Sequence, residues 1–174
     1  QEGEWGLESK CDDNLPVVAF NLKLEKDYGF GVDDSALNAI RLECLHTRQL
    51  ITSSQGQWGD WKGSKRCPRH TVITGVRMRS EGSGKKDNVA AVDMDVECTN
   101  LVGAVDPEIL KGHGLMGTYA NYCEWFRCPK GHYICGLKTQ VQPNKGRSGD
   151  DTALNDVIFT CCVPNDITID WSSL

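Results

Sequence analysis

One short phrase, written three times, constrains this chain more than any single motif. Asp33-Asp34-Ser35-Ala36-Leu37-Asn38, closing on Cys44, returns as Asp150-Asp151-Thr152-Ala153-Leu154-Asn155, closing on Cys161. A weaker copy, Asp87-Asn88-Val89-Ala90-Ala91-Val92, closes on Cys98. Each copy follows a second landmark, a cysteine just after a Trp-rich or aromatic stretch: Cys11, Cys67 and Cys128. A unit of this size cannot bury a hydrophobic face by itself, so copies must pack on one another.

The local pattern within each unit is β. Phe20 to Glu25 alternates apolar and polar residues, and Val72 to Arg79 and Ile134 to Val141 do the same at matching places. Such alternation marks half-buried strands. Ala39 to Cys44, Met94 to Cys98 and Val157 to Cys161 supply a second strand per unit. Glycine-rich stretches lie between the two: Tyr28 to Gly31, Glu81 to Lys85 and Lys145 to Gly149. Three sheets packed around a common axis satisfy this pattern as an all-β, disulfide-stapled β-prism, with a three-bladed propeller or trefoil as the alternative. The predicted organisation is one domain over 1–174, with repeats at 5–44, 58–98 and 119–162, an insertion at 99–118 and a tail at 163–174. Within the insertion, Pro107 to Lys111 is predicted to make one helical turn before Gly112.

With 174 residues the chain is long enough for a true core. It holds no apolar run long enough to span a bilayer. A net charge of -5 argues against nucleic acid, which demands a basic surface. The local cluster Lys62, Lys65, Arg66 and Arg69 reads as a solvated face.

Nine cysteines are present without any C-x2-C pair, which points to disulfides rather than zinc. The spacing suits three equivalent bridges: Cys11–Cys44, Cys67–Cys98, and Cys128 with Cys161 or Cys162. Adjacent strand residues face opposite sides of a sheet, so the other member of the Cys161/Cys162 pair is left to reach Cys135. Alignment of the repeats favours Cys128–Cys161 with Cys135–Cys162, and swapped partners remain open. Cys123 is left over, either as a free thiol or as a link to another chain. The compartment implied is oxidising and the protein secreted; a start at Gln1 fits removal of a signal peptide. No N-x-[ST] glycosylation acceptor occurs.

The motifs taken together resemble the vitelline membrane outer layer protein I family, extracellular proteins first known from egg coats. The residues that carry the resemblance are Trp58-Gly59-Asp60-Trp61, Arg66-Cys67-Pro68, Arg127-Cys128-Pro129, Ile134 to Thr139, and Gly149 to Asn155 closing on Cys161-Cys162. It covers Trp5 to Cys162. It implies a β-prism of three Greek-key sheets with pseudo-threefold symmetry and four disulfides, and Cys123 has no counterpart in that set. The family's association with lysozyme-like transfer among N-acetylglucosamine oligosaccharides implies glycosyl transfer as one activity to weigh.

Two residue sets could carry chemistry. The pairs Asp33-Asp34, Asp87-Asn88 and Asp150-Asp151 could hydrogen-bond sugar hydroxyls, while their recurrence favours a turn-capping role. Asn38 and Asn155 read as backbone support. Calcium is disfavoured because no D-x-[DN]-x-[DN]-G loop occurs. Trp5, Trp58, Trp61 and Trp125 could stack on sugar rings, while their threefold placement favours the prism core. Carbohydrate-binding candidates are therefore Asp33, Asp34, Asp87, Asn88, Asp150, Asp151, Trp58 and Trp61.

No hydrolase or metalloprotease signature is present, and the four histidines are scattered. No catalytic residue, metal or cofactor is expected. The function expected is non-catalytic carbohydrate binding in an extracellular coat or matrix. Glycosyl transfer and a purely structural coat role are the alternatives. Glycans or coat proteins are the partners expected, with Cys123 available for a disulfide-linked oligomer.

Overall fold

The computed structural model describes residues 3–25, 37–82, 89–101, 106–113, 120–142 and 154–164. The glycine-rich connections and most of the tail lie outside these residues. Three long antiparallel hairpins dominate: β3 (Val17–Leu24) with β4 (Leu37–Cys44), β8 (Val72–Gly82) with β9 (Val89–Thr99), and β13 (Tyr133–Val141) with β14 (Leu154–Cys162). Short strands complete each sheet. β5 (Leu50–Thr52) borders β4, while β6 (Asp60–Trp61) and β7 (Lys65–Arg66) border β3. Likewise β10 (Glu108–Leu110) borders β9, while β11 (Ala120–Tyr122) and β12 (Phe126–Arg127) border β8.

The spatial order β5-β4-β3-β6 is a Greek key, and β10-β9-β8-β11 repeats it. In the third sheet the flanking strands of β13 come from the far end of the chain: β1 (Glu4–Trp5) and β2 (Ser9–Lys10). Each sheet thus borrows the short strands beside its first long strand from the aromatic segment of the next unit, and the N-terminal segment closes the circle. Among the described residues β14 has no bordering strand on its other side. The result is an all-β prism.

Each hairpin carries two irregularities at equivalent places. Near the start, Val18, Thr74 and Cys135 are extra residues opposite a continuous partner strand. Near the far end, Asn38, Val92 and Asn155 are the extra residues on the second strand. A bulge bends its strand and increases local twist, which curls each sheet around the axis. The bulges also alter the simple alternation read from sequence: Val18 and Cys135 turn to a second apolar cluster with Leu45, Val72, Tyr133 and Cys162. The main core holds Phe20, Leu22, Ile40, Val96, Ile134 and Leu137 from all three sheets.

Four disulfides form: Cys11–Cys44, Cys67–Cys98, Cys128–Cys161 and Cys135–Cys162. The swapped pairing at Cys161 and Cys162 is not formed. Cys123 is a free, exposed thiol.

The helical turn expected at Pro107 to Lys111 is instead strand β10, paired as Glu108 with Cys98 and Leu110 with Val96. One helical turn gains little against its nucleation cost, whereas the open edge of β9 offers ladder hydrogen bonds at once.

Gly59 shows why its motif requires glycine. Its φ is +89°, and a Cβ there would lie 2.6 Å from the Leu24 carbonyl carbon and oxygen. Gly59→Ala is expected to cost about 2–4 kcal/mol, from left-handed strain plus a backbone clash. An unchanged midpoint in urea unfolding would refute the close approach of these two segments.

Candidate functional site

On the outer face of the β8–β9 hairpin, alternation places three acids opposite a row of cations. Asp93, Asp95 and Glu97 project from β9 and are nearly inaccessible to water, at 1%, 2% and 9% exposure. The Arg77 guanidinium donates to Asp95 Oδ2 at 2.9 Å, and Arg127 Nε donates to Glu97 Oε2 at 2.8 Å. The segment after β10 folds over these acids. Gly112 N donates to Asp95 Oδ1 at 2.9 Å, His113 N donates to Asp93 Oδ1 at 3.0 Å, and Lys65 Nζ donates to the Lys111 and Gly112 carbonyls. Burial, with Lys65 nearby, pushes the His113 imidazole below its usual range.

The R-C and E-C steps of the sequence meet here. Arg66, before Cys67, pairs with Glu43, before Cys44; Arg127, before Cys128, pairs with Glu97, before Cys98. These pairs join one unit to the next, whereas the disulfides close within a unit.

Aromatic rings alternate with the cations. Arg41 lies 3.9 Å from the Trp61 ring centre, and Lys138 lies 5.5 Å from that of Trp5. Arg77 sits between Tyr122 (3.8 Å) and Trp125 (4.7 Å), with Arg79 also 4.5 Å from Tyr122 and Arg127 5.1 Å from Trp125. The expectation of a tryptophan core is therefore overturned. Trp5 is 39% exposed and Trp58 49%, while Trp61 and Trp125 are half-buried on the outside. The core is already filled by Leu, Ile, Val and Phe side chains from three sheets, and the indoles lie outside it. Cations on the outer strands give the rings partners instead.

A second feature is a groove of about 430 Å³ where β8 and β12 face β14. Its walls include Val76, Met78, Leu154 and Phe159, and the Phe126 and Phe159 rings stack with centres 6.3 Å apart.

Of the residues singled out from sequence, Asp33, Asp34, Asp87, Asn88, Asp150 and Asp151 lie outside the described residues. Trp58 is exposed in the loop before β6, and Trp61 lies in β6 beneath Arg41. Asn38 is fully buried, its carbonyl accepting from Gly56 N at 2.7 Å, and Asn155 lines the groove. The acid–arginine face escaped sequence reading. Its signal was Arg77-Met78-Arg79 against Asp93-Met94-Asp95-Val96-Glu97, two period-two runs of opposite charge.

Two solved structures share this architecture. The prostate-specific WGA16 glycoprotein lectin matches with TM-score 0.56 at 8% identity, covering 95% of this chain and 94% of that one. Calystegia sepium agglutinin matches with TM-score 0.53 at 12% identity, covering 94% and 91%. At such identities the likeness defines the class of fold, a β-prism found in lectins.

The sequence relation is narrower. A model of the family described as vitelline membrane outer layer protein I matches residues 1–164. The chain is 35% identical over 167 residues to the Homo sapiens vitelline membrane outer layer protein 1 homolog, covering 92% of this chain and 77% of that protein. It is 34% identical to the Mus musculus homolog, covering 92% and 78%. This chain belongs to the vitelline membrane outer layer protein I family.

Proposed function

We propose that this is an extracellular coat or matrix protein that binds carbohydrate without turning it over. The observation that carries the reading is the set of outward aromatics, of which Trp5, Trp61, Tyr122 and Trp125 are each held against a cation. A stacked cation holds its ring by one face, so sugar stacking on these rings would use the opposite face, while Trp58 presents an open indole. Aromatic faces pack on the apolar faces of sugar rings, and neighbouring polar groups supply hydrogen bonds. The acid and amide pairs Asp33-Asp34, Asp87-Asn88 and Asp150-Asp151 are assigned as further hydrogen-bonding groups. Pseudo-threefold repetition lets weak sites act together on a polymer. Family membership and four disulfides, which persist in oxidising surroundings, support an extracellular setting.

The exposed thiol of Cys123 favours one second reading, a coat component cross-linked through it. Reducing against non-reducing gels decide that point.

For the principal reading, an N-acetylglucosamine hexasaccharide is incubated with the protein and bound and product masses are read together. An intact bound sugar is expected, with Trp58→Ala and Trp61→Ala each weakening it about tenfold, the order of one aromatic contact. Shortened or lengthened sugars would replace binding by glycosyl transfer. Free, unchanged sugar would remove both readings for this ligand class.

A further inference from the structure

We infer that the groove between β8 and β14 is a binding site for a single-chain alkylammonium, a cationic nitrogen carried on a hydrocarbon tail. Its volume of about 430 Å³ falls within the range of small-molecule sites, roughly 300–1,000 Å³. The floor reaches the prism core: Val76 is 3% exposed and Leu154 1%, so a tail lying there continues the packing of the interior. Met78 on the wall is unbranched and adapts to an irregular occupant.

The occupant's head group follows from the rim. Glu124 and Asp156 are exposed acids among the lining residues, and the described part of the lining includes no lysine, arginine or histidine. Asp156 Oδ1 accepts from Val157 N at 2.8 Å, which holds that carboxylate in place. The stacked Phe126 and Phe159 rings extend the apolar wall that holds the tail. Anionic amphiphiles meet two like charges, and neutral ones gain only the apolar walls. The arginine-rich face of the same sheet points the other way, so its charge does not line this groove.

The site differs from the outer aromatic layer proposed for carbohydrate and stands or falls separately. The occupant is taken to be a free amphiphile rather than a bilayer lipid, because a volume of about 430 Å³ suits one short chain.

Calorimetric titration below micelle-forming concentrations compares three probes built on an eight-carbon chain: octyltrimethylammonium, octan-1-ol and octanoate. The ammonium is expected to bind about fivefold to tenfold more tightly than the alcohol, and octanoate most weakly. The double variant Glu124→Gln/Asp156→Asn, both at exposed positions, is expected to erase the ammonium's advantage and leave octanol binding unchanged. Phe126→Ala, also exposed, is expected to weaken the ammonium and the alcohol alike. Equal affinity for the three heads, or an ammonium preference that survives the double variant, would overturn the assignment. Pelleting with phosphatidylcholine vesicles, with no binding of the free probe, would overturn the choice of a free amphiphile.

Discussion

Reduction of the four disulfides is expected to unfold this protein at 37 °C. Each bridge closes a loop of roughly 30 residues and contributes about 3 kcal/mol by restricting the unfolded chain. Four together contribute about 12 kcal/mol, comparable to the whole stability of an ordinary domain, about 5–15 kcal/mol. The placement makes the dependence sharper. Cys11, Cys67 and Cys128 each lie just after a pair of short strands, and two-residue strands such as β7 and β12 have little ladder of their own. Their bridges to Cys44, Cys98 and Cys161 anchor those segments to the ends of the long hairpins. Thermal unfolding followed by near-ultraviolet circular dichroism, with and without reductant, reads the effect. Cys123→Ser is the control and should leave the oxidised transition in place. A reduced protein that melts within a few degrees of the oxidised one would show that the core suffices.

The second large effect is expected at Asp95. Asp95→Ala should cost about 3–5 kcal/mol, the range for removing one member of a buried ion pair. The carboxylate is 2% exposed and does two things at once: Oδ2 accepts from Arg77, and Oδ1 accepts from Gly112 N. Its loss leaves a guanidinium with a side-chain exposure of only 22% without its carboxylate, and an unsatisfied amide beneath the segment after β10. Gly112 has no room to adjust, since even a methyl group there would collide with Asp93. Asp95→Asn retains an acceptor for one of the two donors and should cost less than the alanine variant. Urea unfolding midpoints at constant slope compare the three proteins. Equal stability of Asp95→Ala and the parent would mean that solvent, not Asp95, satisfies Arg77.

These two expectations differ in where they could be seen. The disulfide dependence rests on cysteine spacing that the repeats already display, and the long hairpin strands that each bridge reaches were also legible, whereas the short strands before each first cysteine were not. The Asp95 dependence required the register: only pairing Arg77 with Asp95 and Gly75 with Glu97 shows that two charged runs share one face. The same holds for Glu108 to Leu110, whose three residues carry almost no local preference and take their conformation from the edge of β9.

What the chain determined by itself was the threefold architecture. Hydrophobic alternation, recurrent cysteines and repeated turns are local signals, and a unit unable to bury its face must find its copies. Tertiary structure decided the rest. It exchanged the outer strands between units, used the N-terminal segment to close the third sheet, and placed Asn38, Val92 and Asn155 at bulges. It also sent the tryptophans outward and opened the groove beside β14. Those outcomes depend on the width of a core filled from three sides and on which edges remain open, quantities no local stretch of residues contains.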